Sequence, residues 1–270
     1  MSELRTGYQG KTGAFSERVA NRLYPNVPAT GYRSFEDLLE AISCERITYG
    51  ILPCENSIHG SIARAYDLLL EHRNLRIIGE TVETITQALI GLQNASLESL
   101  TTVTSHPVAL EQCRQFFAQY PQLRMLATDD TAGAVSEIVL GNDPRIAAIG
   151  PAHCAELYGA IILRASVQDR NPNVTRFFVI AHKRQVSEQA TRSCLAVHLA
   201  DRTGSLHEAL GVLARHRLNL RSLLARPNRL RAFAYTFYVE FETPPGFLLD
   251  ALIAEMQVDV EILGQYPVYL

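Results

Sequence analysis

The chain has 270 residues, 47% of them apolar, so it can bury a sizeable core in one large domain or two smaller ones. A formal net charge of -3 provides no basic surface for nucleic acid, and no apolar run approaches the roughly 18 residues of a membrane span. The N-terminus has no signal-peptide pattern, and the five cysteines include no Cys-x-x-Cys pair. We therefore expect a cytoplasmic protein with reduced thiols that binds neither nucleic acid nor membranes.

Residues 1 to about 180 alternate short apolar runs with amphipathic stretches, which is the pattern of an α/β domain. Ser34 is the predicted N-cap of the first clear helix, with Asp37 as its capping-box partner. The predicted elements, in chain order, are a helix in YRSFEDLLEAIS, a strand in ITYGILPCEN, a helix in SIARAYDLLLEHR, strands in LRIIGETVETITQALIG, a helix in HPVALEQCRQFFAQY, a helix in DTAGAVSEIVLG that ends on Gly141, a strand in RIAAIG, a helix in PAHCAELYG with Pro151 at its start, and a strand in TRFFVIAH.

The polar, aperiodic segment HKRQVSEQATR, residues 182–192, is predicted to be a linker. After it follow a strand in SCLAVHLA, a helix in GSLHEALGVLARHR, strands in NLRSLLARP and AFAYTFYVEFE, a helix in GFLLDALIAEM and a strand in VEILGQYPV. This βαββαβ order in a short segment predicts a ferredoxin-like module.

The opening segment GYQGKTGAFSE contains Gly-Lys-Thr, which also occurs in the phosphate-binding loops of nucleotide-binding proteins. Those loops need a glycine five positions before the glycine that precedes the lysine, and that position holds Arg5. Few residues remain to form the strand that feeds such a loop. We therefore reject a nucleotide site here.

Several strand-to-helix junctions are rich in small hydrogen-bond donors: QGKTGAFS, ENSIHGS, TSHP, TDDTAG and IGPAHC. Helix N-termini present free N–H groups and the positive end of the helix dipole, so several of them around one cleft suit a small dicarboxylate. The alternative is that these residues only cap helices.

A further polar cluster, Asn173, Thr175 and Arg176, lies where a strand begins in DRNPNVTRFFV. Arg176 could bind a carboxylate through two hydrogen bonds, and Thr175 could donate a hydrogen bond to a leaving oxygen. The alternative is a solvated loop with a surface arginine. Residue chemistry alone predicts an anion-binding cleft and names no reaction.

The order of the motifs resembles the prephenate dehydratase family over nearly the whole chain. The matching segments are YQGKTGAFSE, GILPCENSIHGSI, TSHPVALEQC, DDTAGAV, AAIGPAHCAELYG, NVTRFFVI and, in the last region, LGQYP. Asp130 departs from the pattern, because the family has a small hydroxyl residue there.

The resemblance implies a two-lobed catalytic domain of the periplasmic-binding-protein type (type II), followed by an ACT regulatory domain. The expected boundaries are 1–181 for the catalytic domain, with lobe one from 1–80 and 165–181 and lobe two from 81–164, then the linker 182–192 and the ACT domain 193–270.

The resemblance also implies conversion of prephenate to phenylpyruvate in phenylalanine biosynthesis, with no metal or organic cofactor because aromatisation drives the reaction. Thr175 is expected to assist loss of the ring hydroxyl, and Arg176 to pair with a carboxylate or organise the site. The expected substrate contacts are Gln9, Gly10, Ala14, Asn56, Ser57, Ser105, His106, Thr131, Asn173 and Phe177.

The regulatory motifs have drifted. Where the family has Gly-Ala-Leu-Val, this chain has GSLH, and where it has Glu-Ser-Arg-Pro, this chain has LARP with Leu224 in place of the glutamate. We expect weakened or altered inhibition by L-phenylalanine and a homodimer or homotetramer. Any effector site in the ACT domain, for L-phenylalanine or another amino acid, would involve Gly204, Leu206, Asn219 and Arg226.

Two kinds of alternative remain open on the sequence. A related enzyme could decarboxylate prephenate without dehydration, or dehydrate arogenate, the aminated substrate. A protein of this architecture could also bind a metabolite as a sensor without turnover.

Overall fold

The computed structural model describes residues 3–182, 189–228 and 234–269. Its strands are β1 Thr6–Gln9, β2 Ala29–Tyr32, β3 Tyr49–Asn56, β4 Gly60–Ser61, β5 Leu75–Thr84, β6 Gln87–Gly91, β7 Thr102–Ser105, β8 Arg124–Ala127, β9 Ile146–Pro151, β10 Ile161–Arg164, β11 Val174–His182, β12 Arg192–Leu199, β13 Leu220–Pro227, β14 Tyr235–Glu242 and β15 Asp259–Tyr266. Its helices are α1 Phe15–Leu23, α2 Phe35–Ser43, α3 Ala63–Glu71, α4 Pro107–Glu111, α5 Arg114–Gln119, α6 Thr131–Gly141, α7 Cys154–Tyr158, α8 Ser205–Arg215 and α9 Leu249–Met256.

The predicted capping of α2 is confirmed, since the backbone N–H of Asp37 donates to Ser34 Oγ at 3.1 Å. The predicted end of α6 at Gly141 is confirmed as well, with Asn142 in the left-handed conformation as its C-cap. Local capping signals therefore located these helix ends well.

The single helix predicted over residues 106–120 is wrong, because the chain forms the two short helices α4 and α5 instead. The carboxylate of Asp169 accepts hydrogen bonds from the backbone N–H groups of Arg114 and Gln115, both at 2.9 Å. The N–H of Asp169 donates to the carbonyl of Gln112 at 2.7 Å. A residue more than fifty positions away thus caps a new helix, which periodicity cannot reveal.

The helix predicted to begin at Pro151 begins at Cys154 instead. Pro151 is the last residue of β9, where it pairs with Gln87 of β6 in an antiparallel ladder. Cross-strand pairing therefore keeps Pro151 in the strand, although the sequence favoured the start of a helix at this residue.

The predicted linker at 182–192 overlaps both flanking strands, because β11 ends at His182 and β12 begins at Arg192. Residues 183–188 of that linker, and residues 232–233 of the strand predicted in AFAYTFYVEFE, lie outside the described residues. The part of the chain that the structure describes contains no helix long and apolar enough to cross a membrane.

The chain divides into two compact units, of which the first comprises residues 1–38, 56–58 and 83–175. It contains the parallel pair β1–β2 and a five-stranded sheet in the order β10-β6-β9-β7-β8. In that sheet β7 runs parallel to β8 and β9, and β6 runs antiparallel to β9 and β10. The helices α4 and α5 cover this sheet through a cluster that includes Leu110, Phe116 and Ile149.

The second unit comprises residues 39–55, 59–82 and 176–270, and its strands lie in the order β13-β14-β12-β15-β5-β11-β3. Strands β12 to β15 form an antiparallel ferredoxin-like sheet, with α8 and α9 packed on one face around Leu195, Phe241 and Leu252. The predicted βαββαβ module is confirmed. Its strand β15 pairs in parallel with β5 at Gly264 and Ile77. The domain boundaries predicted from the sequence stay a prediction.

Candidate active site

Thr175 is the second residue of β11, and its side chain is largely buried. Asn56, at the end of β3, donates its amide N–H to Thr175 Oγ1 at 3.0 Å and to Asn173 Oδ1 at 2.7 Å. The structure therefore brings together three residues that the sequence placed in two separate motifs.

The orientation of the Asn56 amide follows from its backbone neighbour. The N–H of Ile58 donates to Asn56 Oδ1 at 3.0 Å, and a backbone N–H can only donate, so the amide nitrogen must face Thr175. The hydroxyl oxygen of Thr175 thus acts as acceptor toward Asn56. The proton of Thr175 remains available for a further acceptor.

The two residues before Thr175 are fixed by further hydrogen bonds. Asn173 is fully buried and donates from Nδ2 to Gln112 Oε1 at 3.0 Å, while its carbonyl accepts from the N–H of Ile85. Ser57 donates its N–H to the carbonyl of Val174 at 2.9 Å and accepts the N–H of Val174 on its hydroxyl at 3.0 Å. This double hydrogen bond holds the start of β11 against the segment after β3.

The opening turn is an ordered structure that precedes α1. Gly10 and Gly13 adopt φ values of +119° and +91°, which favour glycine. The N–H of Gly13 donates to Glu17 Oε2, and a Cβ at Gly13 would lie 2.6 Å from Cys154 Sγ. Ala14, a predicted substrate contact, is the buried N-cap residue of α1. Gly13 therefore permits a close approach that no other residue type would allow.

Beside this turn lies a cavity of about 550 Å³, which we call the opening-turn cavity. Its lining includes the predicted contacts Gln9 and Gly10. The other lining residues are Tyr8, Lys11, Thr12, Gly31, Tyr32, Arg33, Asp129, Asp130 and Tyr158. Both signs of charge occur in this lining, and Lys11 is already paired with Glu137 at 3.0 Å.

His106 and Thr131 lie at the N-termini of helices, as predicted. His106 is the N-cap of α4, and its Nδ1 accepts the N–H of Val108 at 3.2 Å. Burial lowers the pKa of His106, with Asp130 and Asp129 opposing that shift. A neutral ring whose Nδ1 accepts must carry its proton on Nε2, so His106 presents an N–H donor there. Thr131 is the first residue of α6, whose N-cap is Asp130.

Two predicted substrate contacts are buried in ways that leave little surface for a ligand. Ser105 is fully buried in β7, and its hydroxyl donates to the carbonyl of Ile149 at 2.5 Å. Phe177 is 3% exposed and belongs to the core of β11. Their roles as contacts stay predictions, and each lies buried in its own sheet.

The guanidinium of Arg176 lies among three carboxylates of the second unit. It bonds to both oxygens of Glu240, at 2.5 and 2.8 Å, to Glu80 at 3.1 Å and to Glu55 at 2.9 Å. Tyr66 accepts a further hydrogen bond from Nη2 at 3.2 Å. Carboxylates of the chain therefore already occupy the guanidinium, and both roles expected for Arg176 stay predictions.

The residues expected at an effector site also have partners. Arg226 donates to both oxygens of Asp67, at 2.8 and 3.3 Å, and Asn219 donates to Glu242 at 3.2 Å. Gly204 precedes α8 with a φ of +87°, and Leu206 packs against the module core.

Sequence reasoning missed Gln112, Glu80 and Glu240 as parts of this framework. Gln112 occurs within the motif TSHPVALEQC and is the C-cap residue of α4, and its place in that motif was the available signal. Glu80 interrupts the apolar strand LRIIGETVET, and such a charge inside a buried strand indicates a paired group. Nothing in the sequence connects Glu240 with Arg176.

Comparisons with known proteins agree with this architecture. The family model for prephenate dehydratase matches residues 6–185. Arogenate dehydratase/prephenate dehydratase 2 of Arabidopsis thaliana is 36% identical, and the match covers 99% of this chain and 74% of the plant protein.

Two solved structures are similar over nearly their full lengths. The prephenate dehydratase of Staphylococcus aureus superposes with a TM-score of 0.81 at 26% identity, covering 97% of this chain and 100% of that one. A protein described as GqqA, a novel type of quorum quenching acylase, superposes with a TM-score of 0.87 at 27% identity, covering 98% of both chains. The fold class expected from the resemblance is confirmed by these likenesses.

Proposed function

The chain belongs to the prephenate dehydratase family, and on that premise we propose that Thr175 and Asn56 form the part of its active site that assists loss of the ring hydroxyl. In this reaction the bond between the ring and its carboxylate breaks, carbon dioxide leaves, and the electron pair enters the ring. The 4-hydroxyl departs and takes up one proton to become water. Aromatisation of the ring drives both losses.

The observation that carries the proposal is the hydrogen bond from Asn56 Nδ2 to Thr175 Oγ1 at 3.0 Å. It leaves the proton of Thr175 free to point at the departing oxygen. A threonine hydroxyl has a pKa far above 7, so it stabilises the developing charge by a hydrogen bond and needs a relay for a full proton transfer.

The substrate's two carboxylates require donors, and the helix N-termini of the first unit offer them. We assign this role to the side-chain amide of Gln9, the Nε2–H of His106 and the hydroxyl of Thr131, since the N–H of Gly10 already donates to the carbonyl of Tyr32 at 2.8 Å. Ser57 and Asn173 hold the start of β11 in place, and Ser105 supports β7 from within the sheet.

Dehydration of arogenate is the second candidate, because the Arabidopsis relative bears both activities in its name. The two substrates differ in one group, a keto group against an ammonium. Decarboxylation without dehydration would not use the Thr175–Asn56 hydrogen bond, and the product assay distinguishes it from both dehydrations.

The test is incubation of the purified chain with prephenate or arogenate at neutral pH, with products identified by mass and phenylpyruvate confirmed by its absorbance in alkali. We expect phenylpyruvate from prephenate. Thr175→Val, which keeps the volume but removes the hydroxyl, should lower kcat about 10²- to 10⁴-fold with KM changed little. Thr175→Ser, which keeps the hydroxyl, is the matched control. A Thr175→Val enzyme with near-normal kcat would sink the role of Thr175.

For regulation we propose a weak response to L-phenylalanine. Leu224 offers no acceptor in the place of the family's glutamate, and the guanidinium of Arg226 already binds Asp67. The same assay repeated with L-phenylalanine should show half-inhibition only above about 1 mM, a weak affinity. Cytoplasmic location and a homodimeric or homotetrameric state stay predictions.

A further inference from the structure

Glu240 is a buried carboxylate on β14, an inner strand of the ferredoxin-like module. Along β14 its neighbours Val239 and Phe241 face the module core, so alternation of side chains puts Glu240 on the opposite face. Its side chain is 2% exposed and bonds to both terminal nitrogens of Arg176. A bidentate pair of this kind fixes the direction of the guanidinium as well as its charge.

Two tyrosines hold the Glu240 carboxylate in turn. Tyr66 of α3 donates its hydroxyl to Oε1 at 2.6 Å, and Tyr266 of β15 donates to Oε2 at 3.3 Å. Both tyrosine rings are fully buried and pack edge-on against Phe178. Side chains from two elements, α3 and β15, therefore hold the carboxylate that binds Arg176.

Arg176 directly follows Thr175 on β11, so the two side chains point to opposite faces of the strand. The Arg176 carbonyl accepts a hydrogen bond from Cys54 Sγ at 3.3 Å, and its guanidinium lies 5.4 Å from the centroid of the Phe178 ring. Holding the Arg176 side chain on one face therefore fixes the backbone that carries the Thr175 hydroxyl on the other.

Arg176 contacts two carboxylates besides Glu240, so the effect of Glu240 on the orientation of the guanidinium can be separated from its effect on the charge. Glu80 and Glu55 also contact the guanidinium, at 3.1 and 2.9 Å. If Glu240 lost its charge, Arg176 would still have two carboxylates, so no buried cation would be left unpaired. The chain would lose the two parallel hydrogen bonds between the guanidinium of Arg176 and the carboxylate of Glu240.

We propose that Glu240 is a positioning residue for the reaction: through Arg176 it sets the place of the Thr175 hydroxyl. The inference rests on the proposed function of Thr175. If Glu240 has this role, the ferredoxin-like module is required for turnover whether or not it binds an effector.

The test compares Glu240→Gln, Glu240→Asp and the control Glu242→Gln in steady-state dehydration of prephenate. Glu242 is two residues along the same strand, is partly exposed, and pairs with Arg192 instead. Because small misplacement of a reacting group is costly, we expect Glu240→Gln to lower kcat about tenfold or more with KM changed less than about threefold. Glu240→Asp, which keeps the charge, should recover part of the loss, and Glu242→Gln should match the wild type.

Equal kcat in Glu240→Gln and wild type would overturn the inference, as would a rise in KM alone or no recovery in Glu240→Asp. If Glu240→Gln does not fold, Tyr266→Phe removes one hydrogen bond from the same carboxylate and should give a smaller fall in kcat; a wild-type kcat there would overturn the inference too. An inactive wild type would overturn the proposed function and this inference together, whereas an active wild type with unaffected variants overturns only the inference.

Discussion

At the scale of single residues, the donor and acceptor assignment at Asn56 determines what Thr175 can do. Asn56 donates to the hydroxyl oxygen because its own carbonyl oxygen is already occupied by the N–H of Ile58. A neighbour that could only accept would instead take the Thr175 proton for itself. The chemistry of the site therefore depends on an amide whose orientation the backbone sets.

The variant Asn56→Asp tests this dependence. Aspartate accepts where asparagine donates, so it should bind the Thr175 proton and face the Asn173 oxygen unfavourably. We expect kcat to fall about 10²-fold, the size of effect typical for loss of one oriented donor. The measurement is steady-state kinetics with prephenate, and Asn74→Asp is the control, because Asn74 belongs to the second unit and bonds to Ser43 there. Normal turnover by Asn56→Asp would show that the donor is dispensable.

At the scale of elements, local signals and long-range contacts account for different parts of the fold. The caps of α2 and α6 were predictable because their partners lie within a few residues. The break between α4 and α5 was not, since Asp169 makes it from outside the helix.

The residues of the candidate site were likewise predictable from the sequence only in part. The polar cluster at Asn173 and Thr175 was visible as polar residues at the start of an apolar strand. The partner of Arg176 was not visible, because only the folding of the whole unit brings Glu240 to it from 64 residues away. A single sequence carries no signal for a contact between residues so far apart in the chain.

The cluster around Arg176 should make stability depend on pH through Glu80. Burial raises the pKa of Glu80, partly offset by Arg176, so the folded chain holds this proton where the unfolded chain, with a pKa of about 4.3, has lost it. The resulting stability is fully present below about pH 4.3 and is lost as pH rises through the folded-state pKa. Glu80→Gln removes this titration.

We therefore expect Tm of Glu80→Gln minus Tm of wild type to grow by about 2 °C or more between about pH 4.5 and 7.5, measured by thermal unfolding. Glu242→Gln is the control, and its Tm difference from wild type should change with pH in the opposite direction. The pKa of Glu242 is lowered by its hydrogen bonds to Arg192 and Asn219, so its contribution is present at high pH and lost on acidification. A constant difference for Glu80→Gln across this range would contradict the assignment.

At the scale of the whole molecule, the C-terminal module shares backbone hydrogen bonds with the segments before it. The N–H of Glu80 donates to the carbonyl of Pro267 at 3.1 Å, and the N–H of Tyr269 donates to the carbonyl of Glu80 at 2.7 Å. Gly79 leaves room for the Tyr269 ring, since a Cβ there would lie 2.2 Å from it. The strands of the second unit thus form one continuous sheet, and they come from both predicted domains.

Truncation after residue 190 tests how far the preceding segments depend on the module. Such a chain would lose β12 to β15, expose the edge of β5 and deprive Arg176 of Glu240. We expect it to aggregate or to lose its near-UV circular dichroism, with dehydration of prephenate reduced at least about 100-fold. The measurements are size-exclusion chromatography, circular dichroism and the product assay, with the full chain as reference. A monodisperse truncated chain with native near-UV signal and wild-type turnover would show instead that residues 1–190 fold and act alone, and that the shared strands serve only to anchor the module.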